Sequence, residues 1–582
     1  MIPGNRTLAP LQAVADELAR CGMRHAVCCP GSRNAPLLLA LAGEERIRTH
    51  SVLDERSAGF VALGLAKASG RPVAVACTSG TAAANLHPAV AEAREARVPL
   101  IVLSADRPPE LRDVGAGQSI DQVKLYGDSV KWFVEVGNHD PGRASAVHHR
   151  QLACRAYLTA AGDPRPGAVH LNFGLREPLA PVPAEAGEAG LDPEIWAGRP
   201  EDRPWVERRD PPLVVHRQLA EELAHEIAAN PRGALVVGAT REDVAASAAR
   251  LAVAAGWPLL AEPTSGVRCG AHDRGQVVAH YDALLAGEDF ARTHGADLVI
   301  RIGDTPTSKP LRAWLERARQ IVVDAEAAWH EPTKAAETVV AASAVHTCDA
   351  LTSALADAGA SNSPWLASWL AADARVSPAL DSVPDPFEPK AYAALADVAA
   401  DGATVFVSSS MPIRHVETYF PSVPRRIRFL ANRGANGIDG VVSSAVGAAL
   451  ASDARCYLLT GELALLHDLG GLVAARDLGV SLTIVCTNNG GGGIFDFLPV
   501  SEHAPAAEYE RLVATPRDVD LADVAALAGM SHVTAGTPDE VRDAVAEPGL
   551  VEFRADRASA VRLHRELLSQ LDAAWPRPPD RG

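Results

Sequence analysis

The sequence predicts an α/β protein made of three doubly wound parallel sheets. Three observations predict this class. Short apolar runs alternate with amphipathic helical segments, Pro-rich stretches interrupt the alternation twice, and the chain of 582 residues is too long for one hydrophobic core. Strands and helices that alternate at short intervals form parallel sheets with helices on both faces.

Composition divides the chain into three predicted domains. Residues 178–212 are rich in Pro, Gly and charged side chains, which disfavours regular structure and predicts a linker. A second stretch that contains Pro and Ser occupies residues 361–389. The predicted domains therefore span residues 1–180, 212–360 and 385–582.

Polar side chains follow each predicted strand of the first domain. The predicted strands are 25–29, 48–53, 73–77 and 99–104, and helices are predicted over 57–68 and 81–93. The strands are followed by Ser32 and Arg33, by Glu55, by residues 78–81 and by Arg107. Because parallel strands present their carboxyl ends at one edge, we expect a ligand site at this edge.

The third domain contains a βαβ unit with polar groups at both strand ends. Residues 458–498 comprise an apolar strand, a turn at Gly461 and Glu462, a helix near 465–475, and a strand at 482–486 followed by a glycine-rich loop. In the middle domain, strands are predicted at 234–237, 298–302 and 320–323. Three sheets of similar size are therefore expected.

The overall composition excludes several classes of function. A formal net charge of −17 argues against non-specific binding of nucleic acid. Nine cysteines without a CxxC motif predict neither a disulfide framework nor a zinc site. The sequence has no apolar run of about 18 residues and no charged leader with an apolar core, so we expect a cytoplasmic protein without membrane contact.

The βαβ unit of the third domain indicates a site for a metal and a diphosphate. Glu462 and Asn489 would supply a carboxylate and an amide oxygen, which suit a hard divalent cation. The glycines at 490–493 would let the backbone approach a diphosphate closely. The alternative is that these are two ordinary connections that cap buried strands.

The spacing of these residues resembles the signature of thiamine diphosphate-dependent enzymes. In that superfamily a Gly-Asp-Gly triplet is followed, after a similar interval, by Asn-Asn; here the segments are Gly461-Glu462-Leu463 and Asn488-Asn489. The resemblance implies thiamine diphosphate with Mg²⁺ or Mn²⁺, and a pyrimidine, a middle and a diphosphate domain. It places the cofactor at Gly461, Leu463 and Gly491, and the metal on Glu462, Asn489 and Gly491. Glu462 is one methylene longer than the usual Asp.

Longer segments resemble one family of this superfamily, which acts in menaquinone biosynthesis. They are CPGSRNAPL, SADRPPELRDVGAGQSIDQ, SSSMPIRHVE, NRGANGIDG and, in the middle domain, DTPTSKPL. The resemblance implies a transferase that decarboxylates 2-oxoglutarate and adds the product to isochorismate. It also implies a homo-oligomer, a dimer or a tetramer.

The family's catalytic and cofactor-binding positions fall on three further residues. Glu55 corresponds to the glutamate that activates the cofactor, Ile438 to the apolar residue that holds it bent, and Gln118 to a residue near the aminopyrimidine. Each has a simpler alternative. Glu55 could pair with Arg56 or cap a helix that begins at Ser57, Ile438 could be core, and Gln118 could be an exposed loop amide.

Two dianionic substrates require several cations and hydroxyl donors. The matching motif positions are Arg33, Arg107, Lys309, Arg414 and Arg433, with Ser32 and Ser410 as hydroxyl donors and Ile494, Phe495 and Leu498 as an apolar wall. Guanidinium groups bind carboxylates through two hydrogen bonds, although a single Arg is most often a solvated surface charge. The apolar wall could equally be core.

Two alternative functions remain open from the sequence. Another member of the superfamily, such as an acetolactate synthase or a 2-oxo acid decarboxylase, would use the same cofactor site but would not need five cations. A non-catalytic relative could retain the fold without activity, because fold does not imply function. The candidate Glu55 and the set of cations favour the enzyme.

Overall fold

The computed structural model describes residues 6–137, 139–162, 165–180, 190–355 and 363–574. Three six-stranded sheets, all of them parallel, form the framework of these residues, which confirms the predicted α/β class. The chain forms two compact units. The first is Met1–Asp210 with Asn432–Asp453 and His467–Ser481, and the second is Pro211–Ala431 with Ala454–Leu466 and Leu482–Gly582.

The first sheet lies in the first unit and has the strand order β2-β1-β3-β4-β6-β5. Its strands are β1 (His25–Cys28), β2 (Arg48–Ser51), β3 (Val73–Cys77), β4 (Leu100–Asp106), β5 (Trp132–Val136) and β6 (Ala168–Gly174). The helices are α1 (Leu8–Cys21), α2 (Ala35–Ala42), α3 (Glu55–Ser69), α4 (Thr81–Asn85), α5 (His87–Glu95), α6 (Arg143–Ala161) and α7 (Pro193–Trp196). Strand order reverses between β1 and β3, so the loops after these strands open the crevice where α/β sheets bind ligands.

Two predicted elements of the first sheet differ in the structure. Helix α3 begins at Glu55 rather than at Ser57, because the Asp54 side chain accepts a hydrogen bond from the Ser57 amide at 3.1 Å and caps the helix. The single helix predicted over 81–93 is wrong: α4 ends at Asn85 and α5 begins at His87. Pro88 explains the break, since proline has no N–H and its ring clashes with the carbonyl four residues earlier.

The second sheet has the order β12-β11-β10-β7-β8-β9 and lies in the second unit. Its strands are β7 (Gly233–Val237), β8 (Leu259–Ala261), β9 (Val277–Val278), β10 (Leu298–Ile302), β11 (Arg319–Val323) and β12 (Ala336–Val340). The helices are α8 (Arg217–Ala229), α9 (Ala245–Ala255), α10 (Tyr281–Leu285), α11 (Glu288–Thr293), α12 (Lys309–Leu315) and α13 (Ala344–Leu355). Apolar clusters cover both faces, as the continuous apolar strands require.

The two stretches that separate the predicted domains contain more structure than their composition indicated. Residues 181–189 lie outside the described residues, and the rest of the first stretch includes the one-turn helix α7. In the second stretch, residues 361–362 lie outside the described residues, but α14 (Pro364–Asp373) and α15 (Val376–Ser382) follow directly. Pro364 starts α14 rather than preventing it, because the first turn of a helix needs no amide donor there.

The third sheet has the order β14-β13-β15-β16-β18-β17. Its strands are β13 (Thr404–Val407), β14 (Arg428–Ala431), β15 (Cys456–Gly461), β16 (Thr483–Asn488), β17 (His532–Ala535) and β18 (Gly549–Arg554). The helices are α16 (Glu388–Ala393), α17 (Leu395–Val398), α18 (Met411–Tyr419), α19 (Val441–Leu450), α20 (Glu462–His467), α21 (Leu469–Asp477), α22 (Val500–His503), α23 (Ala506–Tyr509), α24 (Leu521–Leu527), α25 (Pro538–Ala544) and α26 (Arg557–Ala573). The helix predicted at 465–475 is thus two helices, α20 and α21, which meet at Asp468.

Helices α19 and α21 belong to the first unit, where α19 packs against α3. The two helices approach closely through glycine: a Cβ at Gly64 would lie 1.9 Å from the Ser444 carbonyl oxygen, and one at Gly447 would lie 2.0 Å from that of Val61. Glycine is therefore required at both positions. Within the described ranges, no helix combines the length and apolar character needed to cross a membrane.

Candidate active site

In the second unit, the polar residues predicted for the diphosphate site lie at the ends of two neighbouring strands. Strands β15 and β16 pair in parallel with Gly461 opposite Thr487, so Glu462 and Asn489 follow adjacent strand ends. The buried Tyr392 hydroxyl bridges these ends, with 2.9 Å to the Thr460 carbonyl oxygen and 2.7 Å to the Thr487 hydroxyl. The strand termini are thereby held in register.

Glu462 is buried and points its carboxylate at the glycine-rich loop. Its Oε1 atom accepts a hydrogen bond from the Gly491 amide at 2.6 Å. Burial raises the pKa of Glu462 to about 7, although the amides of Gly491 and Asn489 act in the opposite direction. A carboxylate that burial makes costly to ionise is stabilised when a cation binds beside it.

Asn489 is oriented by a residue that the sequence analysis missed. Its Nδ2 atom donates a hydrogen bond to Oε1 of Glu388 at 2.7 Å. The Oδ1 atom is buried and accepts no hydrogen bond in the described part of the chain. Glu388 is itself buried, and burial raises its pKa to about 7. An unsatisfied buried amide oxygen is costly, which is consistent with a site for a cation.

The glycine-rich loop adopts a backbone that only glycine tolerates. Gly490 has φ +75° and Gly491 has φ +144°. A Cβ at Gly491 would lie 2.8 Å from the Ala514 carbonyl oxygen, and one at Gly493 would lie 2.7 Å from Nδ2 of Asn489. The Gly491 carbonyl accepts one hydrogen bond, from the Gly493 amide at 3.0 Å, and retains a second lone pair. The donor set of Glu462, Asn489 and Gly491 therefore fits a hard divalent cation.

The segment after the loop is fixed by Arg557, which the sequence analysis also missed. Its Nε atom lies 2.8 Å from Asp496, and its Nη2 atom bonds to Glu510. The predicted apolar wall follows this anchor, and each of its members is partly exposed: Ile494, Phe495 and Leu498. The alternative that these three residues form core is therefore wrong.

Two of the predicted substrate residues surround the start of α18. Ser410 has φ +74°, an unusual backbone for a residue with a side chain, and its carbonyl accepts a hydrogen bond from Arg414. Lys309, at the start of α12, is exposed. Asp282 connects the two helices, because it accepts a hydrogen bond from Thr418 of α18 at 2.6 Å and its carboxyl lies close to Ser308 and Arg414.

In the first unit, three predicted residues gather at the carboxyl edge of the first sheet. Arg107 donates to the Ser79 hydroxyl at 2.8 Å, and the Gln118 amide donates to the Ser79 carbonyl at 3.0 Å. Arg33 donates to the Leu175 carbonyl at 2.8 Å and is close enough to lower the pKa of Arg107, after the larger effect of burial. Gln118 is exposed, as its simpler alternative requires, yet it is tied to this edge. Ser32 is exposed beside Arg33.

Glu55 is partly buried at the first position of α3, and both simpler roles proposed for it are absent. Asp54, rather than Glu55, caps the helix. Arg56 donates to the carbonyl of His467 at 2.9 Å instead of pairing with Glu55. Among the described residues, no hydrogen bond or ion pair occupies the Glu55 carboxylate, which leaves it available to a ligand.

Arg433 and Ile438 lie in a turn that Glu92 anchors. The buried Glu92 carboxylate accepts hydrogen bonds from the amides of Gly434 at 3.0 Å and Ala435 at 2.6 Å. It also lies 3.2 Å from the Lys67 ammonium, whose pKa is lowered by burial and, in part, by the charge of Arg433. Ile438 is only partly buried, so it is not an ordinary core residue.

The three residues missed from the sequence share a physical reason. Glu388, Glu92 and Arg557 each contact their partners across long sequence separations, and neither Glu388 nor Glu92 stands in a glycine-rich or strand-end motif. Glu388 could have been found only as an acidic residue followed by Pro389 at the start of a helix, which predicts a cap rather than a partner for Asn489.

Comparison with known proteins identifies the family. Residues 11–125 match the thiamine pyrophosphate enzyme N-terminal TPP binding domain, 195–394 the middle domain of thiamine pyrophosphate enzymes, and 415–551 the C-terminal TPP binding domain. A 2-succinyl-5-enolpyruvyl-6-hydroxy-3-cyclohexene-1-carboxylate (SEPHCHC) synthase of Myxococcus xanthus is 43% identical over 578 residues, with 97% of each chain covered. The chain belongs to the SEPHCHC synthase family.

Other relatives of the same name agree over similar lengths. The SEPHCHC synthase of Geobacillus kaustophilus is 42% identical and covers 96% of this chain and 97% of its own. That of Thermobifida fusca is 43% identical and covers 98% of this chain and 100% of its own. The assignment to a thiamine diphosphate-dependent transferase family made from the motifs is thus confirmed, and the fold is that of the three matched domains.

Proposed function

We propose that the protein decarboxylates 2-oxoglutarate and adds the resulting fragment to isochorismate, forming SEPHCHC and CO₂ in menaquinone biosynthesis. The observation that carries the proposal is a pair of buried oxygen ligands at the ends of β15 and β16. Burial raises the pKa of Glu462, and the Oδ1 atom of Asn489 accepts no hydrogen bond among the described residues. This donor set supports a Mg²⁺ or Mn²⁺ ion bound by Glu462, Asn489 and the Gly491 carbonyl. Thiamine diphosphate, when bound, supplies the electron sink for decarboxylation.

The role proposed for Glu55 rests on its unoccupied carboxylate. With Asp54 as the cap and Arg56 directed to a backbone carbonyl, Glu55 is free to share a proton with the aminopyrimidine of the cofactor. Ile438 would hold the cofactor bent, and Gln118 would lie near its pyrimidine. Gly461 and Leu463 would contact the diphosphate end, beside the metal ligands.

The cationic side chains proposed for substrate binding are held by hydrogen bonds or stand at the ends of helices and strands. Ser79 and Leu175 hold Arg107 and Arg33 at one edge of the first sheet, so these guanidinium groups lose little freedom on binding a carboxylate. Arg414, Lys309 and Ser410 occupy the helix starts near Asp282, and Arg433 follows β14. The partly exposed Ile494, Phe495 and Leu498 would exclude water from the apolar part of the substrates.

Measured turnover is the direct test of this function. Purified protein with thiamine diphosphate and Mg²⁺ should release CO₂ and form product only when 2-oxoglutarate and isochorismate are both present. Glu55→Gln should remove most turnover while calorimetry shows that the cofactor still binds, and the exposed Glu45→Gln should behave as wild type. Turnover with pyruvate instead would indicate another carboligase, and no turnover with any 2-oxo acid would reject the enzyme.

A second test concerns the substrate cations. Arg414→Ala and Arg433→Ala should raise the substrate KM values, each lost charge-assisted contact costing on the order of 1.5 to 3 kcal/mol, with cofactor affinity unchanged. Arg426→Ala, at an exposed ion pair with Asp401, is the matched control. Unchanged KM values in both test variants would make them ordinary surface arginines.

We further propose that the protein is a homo-oligomer, at least a dimer, in which two chains share each cofactor. The support is the resemblance to a superfamily in which the first domain of one subunit faces the third domain of another. The cytoplasmic location and the domain bounds 1–180, 212–360 and 385–582 stay predictions.

A further inference from the structure

Two cysteines of the first unit lie close together, away from the residues assigned to cofactor and substrates. Cys21 ends α1 and is partly exposed, whereas Cys154 is buried in α6, which packs against α1. Their Sγ atoms are 3.5 Å apart, and the Cys21 thiol donates to the Cys154 sulfur. A disulfide requires about 2.05 Å between the sulfurs, so the two sulfur atoms must approach each other further before they can bond.

The surroundings favour a thiolate at Cys154. Its sulfur accepts a second hydrogen bond, from the Val206 amide at 3.3 Å. The hydrogen bonds from Cys21 and from the Val206 amide lower the pKa of the Cys154 thiol against the opposing effects of burial and of the Glu17 carboxylate, and the contact with Cys154 raises the pKa of Cys21. Of two neighbouring thiols, the one that accepts hydrogen bonds is the better nucleophile at neutral pH.

A cavity lies beside the segment that contacts this pair. A cavity of about 410 Å³ is lined by Gln151, Arg155, Val206 and Arg208, among others. Val206 lines this cavity and also donates its amide to Cys154. Cys21 is itself partly exposed, and a small oxidant can approach the pair through it.

A metal does not account for the cluster, although Glu17 stands beside the two sulfurs. Its Oε1 atom accepts hydrogen bonds from the Trp205 amide and, while Cys154 carries its proton, from the Cys154 thiol at 3.4 Å; its Oε2 atom lies 2.6 Å from the Arg150 guanidinium. The carboxylate is therefore already paired with a buried guanidinium, whose positive charge would repel a divalent ion. Two thiols in contact with each other remain as the reactive groups.

We propose that Cys21 and Cys154 form a peroxide-sensitive thiol pair that closes to a disulfide between α1 and α6. The Cys154 thiolate attacks one oxygen of a hydroperoxide, the O–O bond breaks, and the leaving oxygen takes the proton of Cys21. The Cys21 thiolate then attacks the sulfenic sulfur of Cys154, the S–O bond breaks, and hydroxide leaves as water after protonation by solvent. Two thiols are oxidised by two electrons, and one hydroperoxide is reduced.

Hydrogen peroxide and peptide mapping test this proposal on the full chain. After treatment, alkylation under denaturing conditions should leave Cys21 and Cys154 unmodified and yield one cross-linked peptide that joins them. In Cys21→Ser, Cys154 should stop at the sulfenic acid and be trapped by dimedone. Cys154→Ser should lose the cross-link, and Cys348→Ser, which removes a buried thiol of α13 in the other unit, should form it as wild type does.

Three results would overturn the proposal. Both thiols could remain fully alkylatable at peroxide concentrations that oxidise an exposed model thiol. Dimedone could fail to label Cys154 in the Cys21→Ser protein. Alternatively, the reduced protein could bind one Zn²⁺ that is lost in Cys21→Ser, in which case the cluster is a metal site.

Discussion

Glu388 accepts a hydrogen bond from the side-chain amide of Asn489 at 2.7 Å, and this contact decides which way the amide faces. An Asn side chain can present either oxygen or nitrogen to a ligand, and only the oxygen binds a cation. When Glu388 is ionised, its carboxylate has no proton to donate and can act only as an acceptor. The Asn489 amide therefore directs Nδ2 to Glu388 and Oδ1 away from it. Glu388 is thus a positioning residue for the proposed metal site.

We expect Glu388→Ala to weaken Mg²⁺ binding by about 10- to 100-fold, the usual effect of losing a partner of a metal ligand. Glu388→Gln should retain most of the affinity, because its amide oxygen can still accept from Asn489. Titration of Mn²⁺ followed by electron paramagnetic resonance measures the affinity without turnover. Glu547→Ala, at an exposed position, is the control. An alanine variant with wild-type affinity would show that Glu388 does not orient Asn489.

Sequence patterns were sufficient for the strands that lie in the centres of the sheets. Strands β1, β3, β7 and β10 lie within one or two residues of their predicted ranges, because fully buried apolar runs between turn residues have few other solutions. Helix boundaries were less accurate. A single proline divided the helix predicted at 81–93, and α14 formed in a stretch whose Pro and Ser content predicted a break.

The candidate site was predictable only where its residues stand in local motifs. Glu462 and Asn489 follow adjacent strands. The apolar pattern predicts both strands, and the carboxyl ends of parallel strands meet at one edge of the sheet, so the two residues were expected to lie together. Glu388 is 101 residues from Asn489, and its role depends on a tertiary contact that no local pattern encodes. The same limit applies to Glu92, which reaches the turn at Gly434 across 342 residues.

Gly440 and Gly479 provide a matched comparison of backbone strain and packing. Both have φ +63°, so an alanine at either should cost roughly 1–2 kcal/mol in strain. A Cβ at Gly440 would lie 1.9 Å from the Phe60 ring, whereas a Cβ at Gly479 would have no atom within 4 Å. We expect Gly440→Ala to lower the urea midpoint of unfolding clearly more than Gly479→Ala, since overpacking adds about 1–3 kcal/mol. Equal midpoints would mean that α3 and α19 do not pack as described.

Asp468 predicts a pH dependence of stability in the protein without ligands. Its carboxyl is buried against the Ser443 amide and hydroxyl, and burial raises its pKa from 3.8 to about 6. The folded state therefore favours the protonated form. The contribution of Asp468 to the free energy of unfolding is fully present below about pH 4 and is lost as the pH rises through 6. A pKa shift of this size corresponds to at most about 3 kcal/mol.

Asp468→Asn should remove this contribution, because the amide cannot ionise. Raising the pH from 4.5 to 7.5 removes the Asp468 contribution from wild type but not from the variant. The melting temperature at pH 7.5, relative to that at pH 4.5, should therefore be higher in the variant than in wild type. Asp477→Asn, at an exposed position in α21, should leave the wild-type difference unchanged. Parallel pH profiles for wild type and Asp468→Asn would show that Asp468 ionises normally.

The proposal of a site shared between two chains yields a complementation test. Glu55 lies at the edge of the first sheet and Glu462 at the edge of the third, and each belongs to a different compact unit of the chain. If two chains related by a twofold axis supply one of these residues each, the dimer has two equivalent sites. A heterodimer of Glu55→Gln and Glu462→Ala chains would then contain one site with both defects and one site with neither.

Mixing the two inactive variants and allowing their subunits to exchange should therefore restore activity, up to half that of the wild-type dimer for each heterodimer formed. Exchange is confirmed independently by mass spectrometry of differently tagged chains. As a control, two differently tagged Glu55→Gln chains are mixed in the same way, and this mixture should show no gain in activity. If confirmed heterodimers stay as inactive as their parents, both residues of each site come from one chain, and the shared site is wrong even though the family and the proposed reaction would stand.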